Sequence, residues 1–141
     1  MQRELIGEII HRFERKGLQV CGIKMMQLTD EILGEHYAHL AQRSFFKRIK
    51  DSMMITPVIV CCLKGLDAVH IVHSMAGVTN GREAQLGTIR GDYSVSVQEN
   101  IIHTSDTIEN AAIEIIRFFR NDEIFEFKQN SLDFLYANDE I

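Results

Sequence analysis

PVIVCCLKGLDAVHIVHSMA, from Pro57 to Ala76, changes its periodicity halfway along. Pro57 to Leu63 is an unbroken apolar run rich in Val, Ile and Cys, the composition of a strand buried within a sheet. Gly65 ends it, and the segment Leu66 to Ala76 has a helical pattern. A strand passing through a glycine into a helix belongs to folds in which helices cover a sheet. The flanks continue the alternation. Upstream, Leu5, Ile6, Ile9, Ile10 and Phe13 recur at helical spacing, with Gly17 as the stop, and Leu18 to Met26 reads as a strand. Thr29 is the expected N-cap of a helix running towards Leu40, with Asp30 and Glu31 in its first turn. Ser44 to Met54 predicts a shorter helix. Downstream, Gly77 to Asp92 is loop-like, with four glycines and Asn80, and Tyr93 to Ile102 is extended at least at its end. Ser105 or Asp106 then caps a helix carrying Ile108, Ala112, Ile115 and Phe119 along one stripe. The last twenty residues hold Phe125, Phe127, Leu132, Phe134, Leu135 and Tyr136 and are expected to pack. The reading is an α/β or α+β sandwich formed by one domain over residues 1–141, without repeats or an interdomain linker.

Composition narrows the function. The chain has 141 residues, 45% of them apolar and 25% charged, which suits a globular domain with one core. Its longest apolar run, Pro57 to Leu63, is too short to span a bilayer, and no secretory segment is read at the start, so the cytoplasm is the expected compartment. The formal net charge is −5 and the Lys and Arg residues are scattered. A specific nucleic-acid surface needs banked cations, so none is expected. A small phosphorylated ligand needs only about two or three aimed cations and stays open. Cys21, Cys61 and Cys62 lie in strand-like segments without metal spacing and read as reduced and structural, with Cys61 and Cys62 on opposite faces. His36 with His39, and His70 with His73, are three apart and could pair on a helix face. No third ligand is read near either pair, so no protein metal site is expected.

The chemistry concentrates in Asn100 to Asp106, NIIHTSD, leading into the helix that contains Glu114. His103 is expected at the end of an apolar strand just ahead of a helix N-terminus, where free N–H groups and the helix dipole favour anions. An imidazole is largely neutral at pH 7, nucleophilic, and a competent leaving group for a phosphoryl. Ser105 and Glu114 could orient that ring. On spacing alone, a plain core histidine with an exposed Glu114 is the favoured reading. The glycine-flanked loop adds Thr79, Arg82 and Arg90, the last within GTIRGDY, where a close backbone and a guanidinium fork suit phosphate, although alone the stretch reads first as a surface loop.

NIIHTSD, GTIRGDY, the segment with His36, Tyr37, Phe45 and Phe46, and the opening LIGEIIHRFERKG together resemble the nucleoside diphosphate kinase family, in its order and spacing over essentially the whole chain. The resemblance implies a ferredoxin-like antiparallel sheet covered by helices. It also implies ping-pong transfer of the terminal phosphoryl of nucleoside triphosphates to nucleoside diphosphates through a phosphohistidine, with Mg²⁺ held mainly by the nucleotide phosphates. His103 resembles the phosphorylated nucleophile, Ser105 and Glu114 its orienting partners, and Tyr37 the active-site tyrosine. Phe45 and Ile49 match the pair that sandwiches the base, Thr79 and Arg90 phosphate contacts, and Asn100 the ribose contact. Phe45 and Ile49, four apart, share a helix face, and such a clamp barely discriminates among bases. A homo-tetramer or homo-hexamer is the implied assembly.

The sequence departs from the family at three places. The family opens with a strand and a lysine–proline loop ahead of the equivalent of Gln2 and Arg3. Without that strand, interior backbone groups would lack partners at about 1–3 kcal/mol each, so a misplaced start or a shortened chain is expected. His73 stands where the family has a phosphate-binding arginine; a histidine is only about a quarter charged at pH 7 and lacks the bidentate fork. Ser44 replaces a proline, a change expected to loosen the turn before the base-binding helix. Weakened transfer is the expectation, because each lost donor to a transition-state charge costs about 10²- to 10³-fold. Two rivals accompany it: a catalytically impaired nucleotide-binding relative, and a structural or regulatory ferredoxin-like module.

Overall fold

The computed structural model describes residues 3–140, apart from the side chain of His39, so the expected His36–His39 pair lies outside the described residues. Among the described residues, six helices accompany a two-stranded sheet: α1 (Ile6–Lys16), β1 (Gln19–Met26), α2 (Asp30–His36), α3 (Phe46–Met53), β2 (Val58–Lys64), α4 (Ala68–Ala76), α5 (Ile89–Tyr93) and α6 (Ile108–Phe118), with short 3₁₀ turns at Ala38–Leu40, Asn121–Glu123 and Leu132–Phe134. The two strands run antiparallel, from Gln19 opposite Lys64 to Met26 opposite Val58.

Local chemistry explains most of these elements. α1 ends where Gly17 takes a left-handed φ of 99°, which suits a residue without a Cβ, and Arg15 and Lys16 sit in its last turn against the helix dipole. Its Phe13 is buried with Leu18 and Ile89, and Leu63, Ile71, Val72, Ile101 and Ile102 pack against them. The core therefore joins α1, α4, α5 and the turn that leads to His103. As expected, Thr29 caps α2, its hydroxyl accepting from the Ile32 N–H at 3.2 Å.

The register slips between Val20 and Gly22. Beside that slip the Cys21 carbonyl accepts the Phe125 N–H at 2.8 Å, and the tail is tied to β1. Gly22 permits this approach, since a Cβ there would meet the Glu123 carbonyl at 2.9 Å. A second lock joins α1 to α5. Arg12 reaches Asp92 at 2.6 Å and the Tyr93 hydroxyl at 2.9 Å, and that hydroxyl donates to Glu8.

Four expectations change. The stretch from Tyr93 to Ile102 forms no strand among the described residues, because serine hydroxyls take the peptide groups that a sheet would use. Ser94 Oγ donates to the carbonyls of Ser96 and Glu99, while Ser96 Oγ accepts from the N–H groups of Gln98 and Glu99. His103 consequently follows a turn rather than a strand. The expected loop from Gly77 to Asp92 contains the start of α5, capped by Thr88, whose Oγ1 accepts the Gly91 N–H at 3.1 Å. α6 is capped by Thr107 instead of Ser105 or Asp106. Ser105 is engaged by Glu114 and Asp106 accepts from the Asn110 side chain, which leaves the Thr107 hydroxyl for the Asn110 N–H. The tail packs only in part: Leu135 lies against Gly17 and the Tyr136 hydroxyl accepts from Leu66, but Phe134 is 90% exposed.

Candidate active site

The site is built from the end of α2, the turn at Asn100–His103 and one face of α6. The turn is held under strain. The Ile102 N–H returns to the Asn100 carbonyl at 2.9 Å, closing a three-residue turn around Ile101, whose φ is +75°. A β-branched residue in that region costs about 1–3 kcal/mol and needs external support. Arg90, buried at the start of α5, supplies it. Its Nη2 donates to the Ile102 carbonyl at 2.7 Å and its Nη1 to the Gly77 carbonyl at 2.6 Å. The residue expected at the phosphates therefore also pins the peptide just before His103. Its buried Nε has no partner among the described residues.

His103 is partly exposed. Its Nε2 lies 3.3 Å from Glu114 Oε1, and its Nδ1 lies 3.4 Å from the Tyr37 hydroxyl. Glu114 Oε2 accepts from the Ser105 hydroxyl. A carboxylate facing an imidazole nitrogen favours a proton on that nitrogen, so the geometry favours the tautomer with hydrogen on Nε2 and a lone pair on Nδ1. Burial, and then the neighbouring Glu114 carboxylate, push the Tyr37 phenol up to about 12, with Arg90 opposing. Tyr37 therefore remains a hydrogen-bond donor at neutral pH.

His36, read from the sequence as half of a possible metal pair and as part of the segment that carries the family likeness, belongs to this cluster. Its side chain is 4% exposed. Its ring meets Tyr37, His103 and Phe118 edge-on, with centroid distances of 4.5, 4.5 and 5.3 Å. Arg117 Nη1 lies 3.3 Å from His36 Nδ1. The available signal was the i,i+3 spacing of Glu114 and Arg117 on one helix. His36, His103 and Glu114 offer three ligand atoms within 4.8 Å of one another. Arg117 reaches the ring of His36 and places positive charge beside one of the three ligand atoms.

The other expected residues stand outside that network. Phe45 is 39% exposed, and the Ile49 N–H bonds to its carbonyl, so the two form one open apolar step at the start of α3. His73 is brought close, with Nδ1 3.4 Å from the hydroxyl of Thr104 beside the candidate nucleophile. Thr79 is exposed on the loop after α4. The Asn100 side chain donates to the Val97 carbonyl at 2.8 Å, staying within its own turn.

A helix-covered antiparallel sheet presenting a partly exposed imidazole between a carboxylate and a phenol defines an enzyme equipped for phosphoryl transfer. The chain belongs to the nucleoside diphosphate kinase family, whose profile matches residues 1–124. It is 63% identical to the nucleoside diphosphate kinase of Parabacteroides distasonis over 99% of this chain and 92% of that one. It is 42% identical to nucleoside diphosphate kinase 3 of Homo sapiens over 96% of this chain and 80% of that one. The fold matches that of a halophilic nucleoside diphosphate kinase from Halobacterium salinarum in complex with CDP at a TM-score of 0.93 and 36% identity, covering 96% of this chain and 91% of that one. The chain is thus an enzyme that transfers phosphate between nucleotides, and the ferredoxin-like expectation agrees with these neighbours. Among the described residues, no helix is long and apolar enough to cross a membrane.

Proposed function

We propose that the chain moves the terminal phosphoryl of a nucleoside triphosphate onto Nδ1 of His103 and from there onto a nucleoside diphosphate. The observation carrying this reading is the 3.3 Å approach of Glu114 Oε1 to His103 Nε2, which leaves Nδ1 as the nucleophilic atom. In the first step the Nδ1 lone pair forms the N–P bond as the P–O bond to the departing diphosphate breaks. The proton stays on Nε2, where Glu114 offsets the charge that the ring acquires. In the return step a diphosphate oxygen attacks phosphorus and the neutral imidazole leaves. No net proton is exchanged with solvent, and most of the barrier is met by positioning and charge stabilisation.

Tyr37 would donate to a transferring oxygen from beside Nδ1. Arg90, with two of its five donors spent on backbone carbonyls, has others to offer phosphate. Thr79 and His73 would meet the phosphates, Asn100 the ribose, and Phe45 with Ile49 the base. A face-on apolar contact accepts any base, which favours broad specificity.

Nucleotide kinases of this family work with a divalent metal, and Mg²⁺ is the ion proposed here. It binds through phosphates and a few oxygens while retaining water. The carboxylate at this site, Glu114, is already engaged by Ser105 and His103, which fits an ion held mainly by the nucleotide. When bound, it would neutralise phosphate charge. Assembly as a homo-tetramer or homo-hexamer is proposed on the exposure of Val95, Ile108 and Ile116, at 80, 74 and 80%. The cytoplasm is the proposed compartment, which suits three free cysteines.

The test is exposure of the purified chain to γ-labelled ATP. An acid-labile, base-stable label that nucleoside diphosphate removes, and that His103→Gln never acquires, is the expected result. Undiminished exchange in His103→Gln refutes the reading.

A further inference from the structure

Glu114 and Arg117 lie on the same helix, and both reach the ring of His36 at the end of α2. Arg117 Nη1 is 3.3 Å from His36 Nδ1, and Glu114 Oε1 is 3.7 Å from the same nitrogen. A guanidinium has donors only. The nitrogen facing it is therefore an acceptor, and the His36 ring is neutral with its proton on Nε2. In that state Nδ1 has no hydrogen to offer Glu114, and the 3.7 Å approach is not an ion pair. Glu114 Oε1 is also the atom 3.3 Å from His103 Nε2. Two imidazoles thus face one carboxylate oxygen, and the guanidinium decides which of them donates to it.

We propose that Arg117 is a positioning residue that keeps His36 neutral by donating to its Nδ1, and so reserves Glu114 Oε1 for His103. The inference rests on His103 Nδ1 being the phosphoryl acceptor. Among the described residues, the charged and titratable groups set against His36 include Glu114 and Arg117 from α6, Tyr37 next to it in the chain, and His103 from the turn. Arg117 is itself held by Glu35, whose Oε2 lies 3.7 Å from its Nε. His36 is too enclosed to swing away, being wedged edge-on between Tyr37, His103 and Phe118. Remove the guanidinium and His36 keeps its carboxylate neighbour but loses the cation that opposes protonation. An ordinary imidazole takes up a proton near pH ~6.5. Protonated on Nδ1, His36 would donate to Oε1 and displace His103, whose ring would lose the contact that fixes its tautomer.

Nitrogen-15 NMR of the histidine rings, combined with steady-state kinetics of Arg117→Leu and Arg117→Lys, tests this. In the unsubstituted protein at pH 6.5, His36 is expected as the neutral tautomer with hydrogen on Nε2. In Arg117→Leu it should protonate over the acid range, with kcat falling about fivefold at pH 6, the scale of one modest hydrogen bond, and recovering towards pH 8 while KM is unchanged. Arg117→Lys, which retains a cationic donor, should restore most of the loss. A purely structural role would lower Tm without bending the pH profile. The proposal is overturned if His36 in the unsubstituted protein is an imidazolium or carries its proton on Nδ1, a result that does not depend on the variants folding. It is equally overturned if Arg117→Leu keeps the parent pH profile. Absence of any phosphohistidine in the unsubstituted protein would instead refute the underlying assignment of His103.

Discussion

His103 and Ser105 are bound to the two oxygens of a single carboxylate: Glu114 faces His103 Nε2 through Oε1 at 3.3 Å and takes the Ser105 hydroxyl on Oε2. The serine fixes the rotation of the carboxylate, and the carboxylate fixes the tautomer of the imidazole. Three side chains from a turn and a helix thereby act as one unit whose output is a lone pair on Nδ1.

Glu114→Gln preserves shape but removes the charge and allows an amide N–H to face Nε2. The loss of kcat should be about 10²-fold, with KM little changed, because the interaction matters most as the ring becomes cationic. Ser105→Ala should cost less, about tenfold, since the carboxylate can still reach His103 with a less defined rotamer. Stopped-flow formation of phosphohistidine measures both.

Arg90→Lys keeps a positive charge but cannot bridge Gly77 and Ile102. One part-buried carbonyl then lacks its partner, at about 1–3 kcal/mol, and the strained peptide before His103 is released. Chemical denaturation should show that loss, and kcat should fall more than stability alone accounts for.

His73 stands 3.4 Å from the hydroxyl of Thr104, the residue after His103, the proposed nucleophile. His73→Arg would supply a permanently charged fork in its place, and kcat is expected to rise about tenfold. An unchanged rate means His73 does not face the transferring phosphoryl.

Thr107→Ala should destabilise the chain by about 1 kcal/mol, the usual value of an N-cap hydroxyl, with Thr107→Ser close to the parent. This follows from its bond to the Asn110 N–H at 3.1 Å. Thermal unfolding separates it from Ser105→Ala, whose effect should fall on turnover.

Burial, then Glu114, raise the Tyr37 phenol to about 12 from its ordinary 10.0. The folded state thus holds this proton where the unfolded chain releases it. The stabilising contribution is complete below pH ~10 and disappears as pH rises towards ~12. Tyr37→Phe has no such proton, so its Tm should fall less steeply over that interval than the parent's.

Much of this was legible along the chain. Leu5 to Phe13 wrote α1 in its spacing, Pro57 to Leu63 wrote β2, and Thr29 announced α2, because each depends on neighbours within a turn or on one face. His103, Ser105 and Glu114 were likewise visible as a group, being close in sequence. The cap of α6 was misread because Ser105 and Asp106 are good caps in isolation, and only their partners show that both are occupied. The strand expected at Tyr93–Ile102 failed for a related reason: its alternating serines turn their hydroxyls onto the local backbone.

Periodicity, capping chemistry and the short motif around His103 are local properties, and residue order alone carried them, along with the family likeness. The tautomer of His103, the strain at Ile101 and the burial of His36 against Arg117 were decided in three dimensions. Tyr37 and His103 are 66 residues apart and His36 and Arg117 are 81 apart, so their contacts exist only after α2, the turn and α6 have packed. Hydrogen bonds of that range depend on ångström distances and on which lone pair is already occupied, and neither is encoded in the spacing of residues along a chain.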